Sequence, residues 1–346
     1  MCYQTCPERM KGRWFDQRAV SNALFTGHGA PPVIYIACGS SSVCVHCDKG
    51  RDMQITANGI QIEVQTYGSE DGVPLVLIRG LGSQLIHWPV EFFEGLARAG
   101  FRVVLFDNRD VGLSQRCAKA GVASDADEIT AAALAGAPTP AAYRLNDMAK
   151  DVVGVMDALG LEKAHVFGMS MGGAITQLLC MDHAERLLSG TIVMATARPF
   201  AERGGNAEWL ATLLARHVDR ETYIKSCIAE YINWGSPAFP MTQQEVAAQA
   251  AQAYDRAFDP EGINRQVLAV IASTDRRQDL TQVALPCQVI HGEEDTLIPP
   301  EAGAEIAGLI PNCDHHLIEG MGHVITPKQA PMLIEMMQDF ITRRAS

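Results

Sequence analysis

Short runs of apolar residues recur along most of this chain and predict buried β-strands. Each run is nearly continuous rather than alternating, which is typical of strands covered on both faces in a mostly parallel sheet. Helical patterns lie between the runs, and the clearest of them covers residues 145–159. Strand and helix in alternation predict an α/β fold with helices flanking the sheet. The predicted strands are residues 60–67, 75–79, 103–106, 164–167, 191–195, 288–291 and 315–318.

The alternation stops between residues 198 and 280, where the chain is rich in Ala and Gln and has helical spacing. This stretch is too long for a structureless loop. We therefore predict a helical cap over 198–280, inserted into a core domain of residues 53–197 and 281–346. The cap aromatics are candidate pocket walls, although we expect at least half of them only to pack inside the cap. They are Trp209, Tyr231, Trp234, Phe239, Tyr254 and Phe258.

The first 52 residues differ from the rest in composition. They carry six Lys and Arg against four Asp and Glu, whereas the whole chain has a net charge of -12. We expect them to be an N-terminal extension outside the core, without the short basic start of a signal peptide. Cys44 and Cys47 have the spacing of half a zinc site, but no second pair follows at zinc-finger distance. We therefore predict no metal.

Composition excludes several classes of function. Of 346 residues 47% are hydrophobic and 20% are charged, as in an ordinary globular protein with a large core. The negative net charge disfavours nucleic acid and anionic membranes as partners. No apolar stretch approaches the roughly 20 residues that cross a bilayer. We expect a cytoplasmic protein, as a monomer or homodimer, that acts on a small molecule.

Ser170 stands in GMSMGG at 168–173, between a predicted strand and a helical pattern. This is the pattern of a nucleophile elbow, a strained turn that exposes a serine hydroxyl at the carboxyl edge of the sheet. Glycines suit the turn because larger side chains would collide with the neighbouring strand and helix. The Met171 N–H, at the start of the helix, would face the same space and is a candidate oxyanion donor.

A reactive serine needs a histidine to take its proton and an acid to fix the tautomer of that histidine. In the chain order serine, acid, histidine, the acid follows a later strand, which favours Asp295; Glu293 and Glu294 remain alternatives. The histidine should follow the last strand, which selects His323. Three other histidines lie in or at the end of predicted strands, where a structural role is the usual explanation: His291, His315 and His316.

Two further segments lie at predicted strand ends. The loop after strand 75–79 contains RGLG at 79–82, so the Leu81 N–H is the second candidate oxyanion donor; an ordinary glycine turn is the alternative. The segment FDNRDVGLS at 106–114 is rich in polar side chains. We assign it to hydrogen bonds that hold a loop rather than to chemistry.

Together these motifs resemble the α/β-hydrolase superfamily over residues 53–344. Within it the chain is similar to the branch that contains aclacinomycin methylesterase, on the basis of IHWP at 86–89, NRDVGLS at 108–114 and GMSMGGAITQ at 168–177. The resemblance implies an α/β-hydrolase fold with a helical cap and no cofactor. It also implies a triad of Ser170, Asp295 and His323.

Two points limit the resemblance. Many relatives have His-Gly where this chain has Arg79 and Gly80, so their hydrogen bonds around the oxyanion loop are not carried over. The methylesterase substrate is not carried over either, because the cap sets specificity. Trp88, in the IHWP motif, joins the candidate pocket residues.

These residues predict a serine carboxylic-ester hydrolase that works through an acyl-enzyme. We expect small to medium neutral esters as substrates, because no cationic cluster stands near the expected site. A lactonase, a C–C bond hydrolase or a cofactor-free perhydrolase would use the same triad and remains open. A non-catalytic ligand-binding protein of the same fold is the alternative from another class.

Overall fold

An eight-stranded sheet organises the part of the chain that the structure, a computed structural model, describes: residues 51–203 and 206–344. Its strand order is β1-β2-β4-β3-β5-β6-β7-β8. The first three strands in this order pair antiparallel, and all the pairs from β4 onward are parallel. The predicted mostly parallel α/β architecture is thereby confirmed. The strands are β1 Arg51–Ala57, β2 Ile60–Tyr67, β3 Val73–Ile78, β4 Phe101–Phe106, β5 Ala164–Met169, β6 Leu187–Val193, β7 Cys287–Gly292 and β8 Asp314–Ile318.

Helices follow most of the strands and cover both faces of the sheet. The helices that pack on the sheet are α1 Val90–Arg98, α3 Leu145–Ala158, α4 Met171–Asp182, α10 Glu301–Leu309 and α11 Ala330–Arg344, whereas α2 Ala126–Leu134 packs against residues of the predicted cap. Alternate strand residues point to opposite faces. Val76 and Ile78 of β3 therefore join a cluster with α3 and α4, whereas Leu75 and Leu77 join one with α1 and α11. The sheet is buried on both sides, as the continuous apolar runs predict.

The structure adds a strand that the pattern did not predict. β1 begins at Arg51, two residues inside the segment assigned to the extension, and pairs with β2 from Arg51 to Ala57. It has only one neighbouring strand, and polar side chains alternate along it, so it has no continuous apolar run. Cys44, Cys47 and the rest of the predicted extension before Arg51 lie outside the described residues.

Between β6 and β7 the chain forms the helices of the predicted cap region. They are α5 Ala207–Leu213, α6 Arg220–Trp234, α7 Gln243–Ala257, α8 Pro260–Ile271 and α9 Arg277–Leu280. The helix α8 has many buried residues, whereas α6 has none. The cap helices thus differ in how deeply they are buried.

Within the part of the chain that is described, no helix is both long and apolar enough to cross a membrane.

Candidate active site

Ser170 lies at the sharp turn between β5 and α4. Its φ of 55° and ψ of -120° form a conformation that is costly for any residue but glycine. A Cβ at Gly168 would collide with the backbone of Gly172, and a Cβ at Gly172 would collide with the Ile78 carbonyl oxygen. Both positions therefore require glycine, and the strained serine has the geometry of the predicted nucleophile elbow.

The structure brings together the three residues of the predicted triad. Nε2 of His323 lies 2.9 Å from Oγ of Ser170. On the other side of the ring, Nδ1 lies 2.7 Å from Oδ2 of Asp295. With Nδ1–H donating to the carboxylate, Nε2 carries the lone pair that accepts the serine proton.

Asp295 is held as an anion by its surroundings. Burial alone would raise the pKa of this carboxyl, but hydrogen bonds from His291 and His323 hold it well below its ordinary value. The backbone N–H groups of Leu297 and Ile298 both donate to Oδ1 at 2.9 Å. A fixed anion at this position stabilises the imidazolium that forms when His323 accepts a proton.

The alternative acids do not share this environment. The side chains of Glu293 and Glu294 are exposed, and their backbone N–H groups bond to carbonyl oxygens of Ile318 and Met321. Only Asp295 of the three is buried and turned toward His323.

His291 is closer to the triad than its position at a strand end predicts. Nε2 lies 2.9 Å from the Ile298 carbonyl oxygen and 3.3 Å from Oδ2 of Asp295. The ring is fully buried and helps to orient the carboxylate. His315 and His316 lie in β8.

We call residues 320–326 the histidine loop, and the segment that follows α6 holds it in place. The His323 N–H donates to the Trp234 carbonyl oxygen at 2.7 Å. The Ser236 hydroxyl accepts from the Gly322 N–H at 3.0 Å and donates to the Val324 carbonyl oxygen at 2.7 Å. The end of α6 and the segment after it therefore hold the histidine of the predicted triad in place. Sequence reasoning did not single out Ser236, because nothing in its neighbours marks it as buried.

We call residues 79–85 the oxyanion loop, which lies beside the nucleophile. A Cβ at Gly80 would stand 3.1 Å from Cβ of Ser170, so the loop passes close to the elbow. Met171 is the first residue of α4, and the first N–H groups of a helix have no partner within it. The predicted donors Leu81 and Met171 thus belong to the two segments that meet at Ser170.

Arg79 occupies the position of the histidine in His-Gly relatives. Its side chain is 8% exposed, and its Cζ lies 4.7 Å from the centroid of the Trp88 ring. Nη1 donates to Sδ of Met169 at 3.1 Å. Burial lowers the pKa of the Arg79 guanidinium to about 9. Trp88 was predicted to line the pocket, but the structure places it in the core, where its ring packs on Phe167. The ring also contacts the guanidinium of Arg79.

The other pocket candidates have different positions. Trp234 is half-buried at the end of α6, and its backbone contacts the catalytic histidine. The Tyr231 hydroxyl accepts from the Met241 N–H at 2.7 Å, a contact inside the cap. The rings of Tyr254 and Phe258 stack with centroids 5.1 Å apart, which also is packing inside the cap. The side chain of Trp209 lies outside the described residues.

The polar segment at residues 106–114, which we assigned to hydrogen bonds that hold a loop, connects several parts of the molecule. Asp107 accepts from the Leu85 N–H at 2.7 Å and pairs with Arg256 of α7 at 2.7 Å. Asp110 pairs with Arg265 of α8 at 2.7 Å, and both side chains are buried. No cluster of three or more potential metal ligands occurs among the described residues.

The chain matches known proteins over most of its length. A sequence profile of the alpha/beta hydrolase fold covers residues 73–327. Rhodomycin D methylesterase DnrP of Streptomyces peucetius is 27% identical over 304 residues, which cover 78% of this chain and 91% of the methylesterase. The 3-oxoadipate enol-lactonase 1 of Acinetobacter baylyi is 24% identical over 283 residues, which cover 82% of this chain and 94% of the lactonase.

A solved structure gives the same fold. The enol-lactonase from Burkholderia xenovorans LB400 superimposes with a TM-score of 0.65 and 23% identity, covering 84% of this chain and all of the lactonase. The similarity to a rhodomycin methylesterase confirms the resemblance to the methylesterase branch. The names of the relatives support a hydrolase that acts on esters. This chain belongs to the α/β-hydrolase fold family.

Proposed function

We propose that this protein is a serine carboxylic-ester hydrolase acting on small to medium neutral esters. One observation carries the proposal: Ser170, His323 and Asp295 form a continuous hydrogen-bonded line at a strained elbow. The strain supports the same reading, because a serine held at a positive φ is costly and is found mostly at functional sites.

The reaction has two halves. Ser170 Oγ attacks the ester carbonyl carbon while its proton passes to Nε2 of His323, and the carbonyl oxygen becomes an oxyanion. The N–H groups of Leu81 and Met171 stabilise that oxyanion. Collapse breaks the bond to the alcohol, which leaves with the proton from His323. Water then attacks the acyl-enzyme by the same route, which releases the acid and restores Ser170.

The preference for neutral substrates rests on the charges near the elbow. Arg79 is the first residue of the oxyanion loop, but it is 8% exposed and covered by Trp88 and Met169. Arg256 is paired with Asp107. Neither offers an open cationic surface to a charged acid.

A lactonase is the second candidate, because a curated relative and a solved structure of the same fold are named enol-lactonases. The chemistry is unchanged, since a lactone is an internal ester whose alcohol stays attached to the acyl-enzyme. A linear ester and the lactone of the same acyl length, compared by kcat/KM, separate the two activities.

The test of the proposal is replacement of the nucleophile. Ser170→Ala should lower the turnover of p-nitrophenyl butyrate by about 10⁴-fold or more, because the remaining groups cannot form an acyl-enzyme. A fluorophosphonate should label the wild-type protein on the peptide that contains Ser170 and should not label the variant.

Ser226→Ala is the matched control, since Ser226 lies exposed on α6 and its hydroxyl donates to the Thr222 carbonyl oxygen of the same helix. It should keep full turnover and labelling. An unlabelled wild-type protein would contradict the proposal and favour a ligand-binding role. Turnover that survives in purified Ser170→Ala would also contradict it.

A further inference from the structure

Three consecutive polar residues of α8 are buried: Asn264, Arg265 and Gln266 are at most 3% exposed. A buried polar side chain is costly unless it is hydrogen-bonded, and each of these finds its partner outside the helix. Asn264 bonds to the backbone of Ala215, and Arg265 pairs with Asp110. The partners of Gln266 lie beside the catalytic site.

Gln266 bridges the oxyanion loop and the loop that follows β4. Its Oε1 accepts from the Gly82 N–H at 2.9 Å, and its Nε2 donates to the Arg109 carbonyl oxygen at 2.7 Å. The side chain is fully buried. Its acceptor and its donor are thus both used, and no other amide orientation satisfies both partners.

A second residue on the same face of the helix lies beside the same glycine. Ile263 lies one turn before Gln266, and its side chain would be 3.4 Å from a Cβ at Gly82. Gly82 has a φ of 65°, a conformation that favours glycine. The helix α8 therefore holds Gly82 by the Gln266 hydrogen bond and leaves little room for a side chain there.

Leu81 lies between two anchored points. On one side, Nδ2 of Asn108 donates to the Arg79 carbonyl oxygen at 3.1 Å. On the other, Gln266 holds the Gly82 N–H, which belongs to the peptide group that joins Leu81 to Gly82. With both flanking groups restrained, the direction of the Leu81 N–H depends on Asn108 of the core and on Gln266 of the cap.

We propose that Gln266 is a positioning residue that aims the Leu81 N–H at the oxyanion. It acts through the oxyanion loop and does not contact the substrate. The inference rests on the proposed ester hydrolysis, and it assigns part of the preorganisation of the oxyanion hole to a cap helix. Loss of the bridge should therefore weaken binding of the transition state more than binding of the substrate.

Two variants test the inference. Gln266→Leu removes both hydrogen bonds at similar size. Gln266→Glu keeps an acceptor for the Gly82 N–H, but it places a carboxylate oxygen against the Arg109 carbonyl oxygen, so that the second hydrogen bond is lost. For p-nitrophenyl butyrate we expect kcat to fall about 10- to 100-fold and KM to change less than about 3-fold, since the loop is misaligned rather than lost. Gln266→Glu should give the smaller fall.

The readout that separates positioning from stability is the affinity for an alkyl boronic acid, whose adduct with Ser170 resembles the tetrahedral intermediate. Its inhibition constant should rise by about the same factor as kcat falls. Gln288→Leu is the control, because Gln288 is equally buried but bonds to Thr191 within the sheet. It should change the melting temperature and leave kcat and the inhibition constant unchanged.

The inference is overturned if folded Gln266→Leu keeps the wild-type kcat. It is also overturned if kcat falls while boronic acid affinity stays the same. Failure of the proposed function would look different, because the wild-type protein itself would then show neither turnover nor fluorophosphonate labelling.

Discussion

The cap is attached to the two catalytic loops by different kinds of contact. At the histidine loop two of the hydrogen bonds join backbone to backbone, His323 N–H to Trp234 O at 2.7 Å and Ala238 N–H to Gly320 O at 3.0 Å, beside those made by the side chains of Ser236 and Thr326. At the oxyanion loop the contacts come from side chains. Gln84 donates to carbonyl oxygens of Ala253 and Ala257 of α7, both at 2.8 Å, and Gln266 accepts from Gly82.

The difference predicts how each attachment responds to mutation. A backbone hydrogen bond persists when side chains change, as long as the chain path is kept. A contact made by one buried side chain is lost with that side chain, and its partner is left unsatisfied. The oxyanion loop should therefore be the more sensitive of the two to single substitutions.

The largest loss of stability is expected from breaking the ion pair between Asp110 and Arg265, which holds α8 on the loop after β4. Asp110→Asn leaves the buried Arg265 without its closest carboxylate, which should lower the free energy of unfolding by about 3 kcal/mol. Because α8 carries Gln266, kcat should also fall, by about 10-fold. Urea unfolding and ester turnover of the folded fraction measure the two effects.

Asp151→Asn is the matched control for that variant. It breaks an equally buried pair with Arg109, at 2.5 Å, which joins the same loop to α3 of the core instead of to the cap. Similar losses of kcat in both variants would show that the link to the cap has no special part in catalysis.

A smaller effect is expected at the histidine loop. Ser236→Ala leaves the Gly322 N–H and the Val324 carbonyl oxygen without their partner, which should cost about 2 kcal/mol of stability. The backbone bond from His323 to Trp234 remains, so kcat should fall by only about 2- to 5-fold. A fall in kcat larger than that of Asp110→Asn would reverse the comparison.

Replacement of His87 should have the smallest effect on stability at neutral pH. Nδ1 of His87 accepts a hydrogen bond at 2.9 Å from the N–H of Gln84, a residue of the oxyanion loop. Burial, and next the charge of Arg79, lower the pKa of His87 to about 3. The pKa is lower in the folded than in the unfolded chain, so the stability from neutral His87 is complete above about pH 6.5 and is lost as pH falls toward 3.

Between pH 7 and pH 5 the free energy of unfolding should fall by up to about 2 kcal/mol through this group. His87→Gln keeps an acceptor for Gln84 and should remove that part of the pH dependence. Urea unfolding at both pH values measures it. An identical pH dependence in variant and wild type would show that His87 is not held neutral by the fold.

Sequence reasoning succeeded where chemistry and local pattern coincide. The strands on which the site is built have continuous apolar runs, and the elbow, Asp295 and His323 follow three of them in the order that the mechanism requires. It failed where the local pattern carries no signal of the contact. β1 lacks an apolar run, Trp88 is covered by Arg79, and Gln266 meets Gly82 across 184 positions.

The sequence by itself determined the sheet, the strained turn at Ser170 and the identity of the triad, because backbone propensity and the need for a base and an acid act over short stretches. Only the tertiary structure decided what aims those groups. The seating of the cap on Gly82 and on the histidine loop depends on buried polar partners brought together by folding. Such partners leave no periodic pattern in the sequence, because one donor and one acceptor are enough to form the contact once water is excluded.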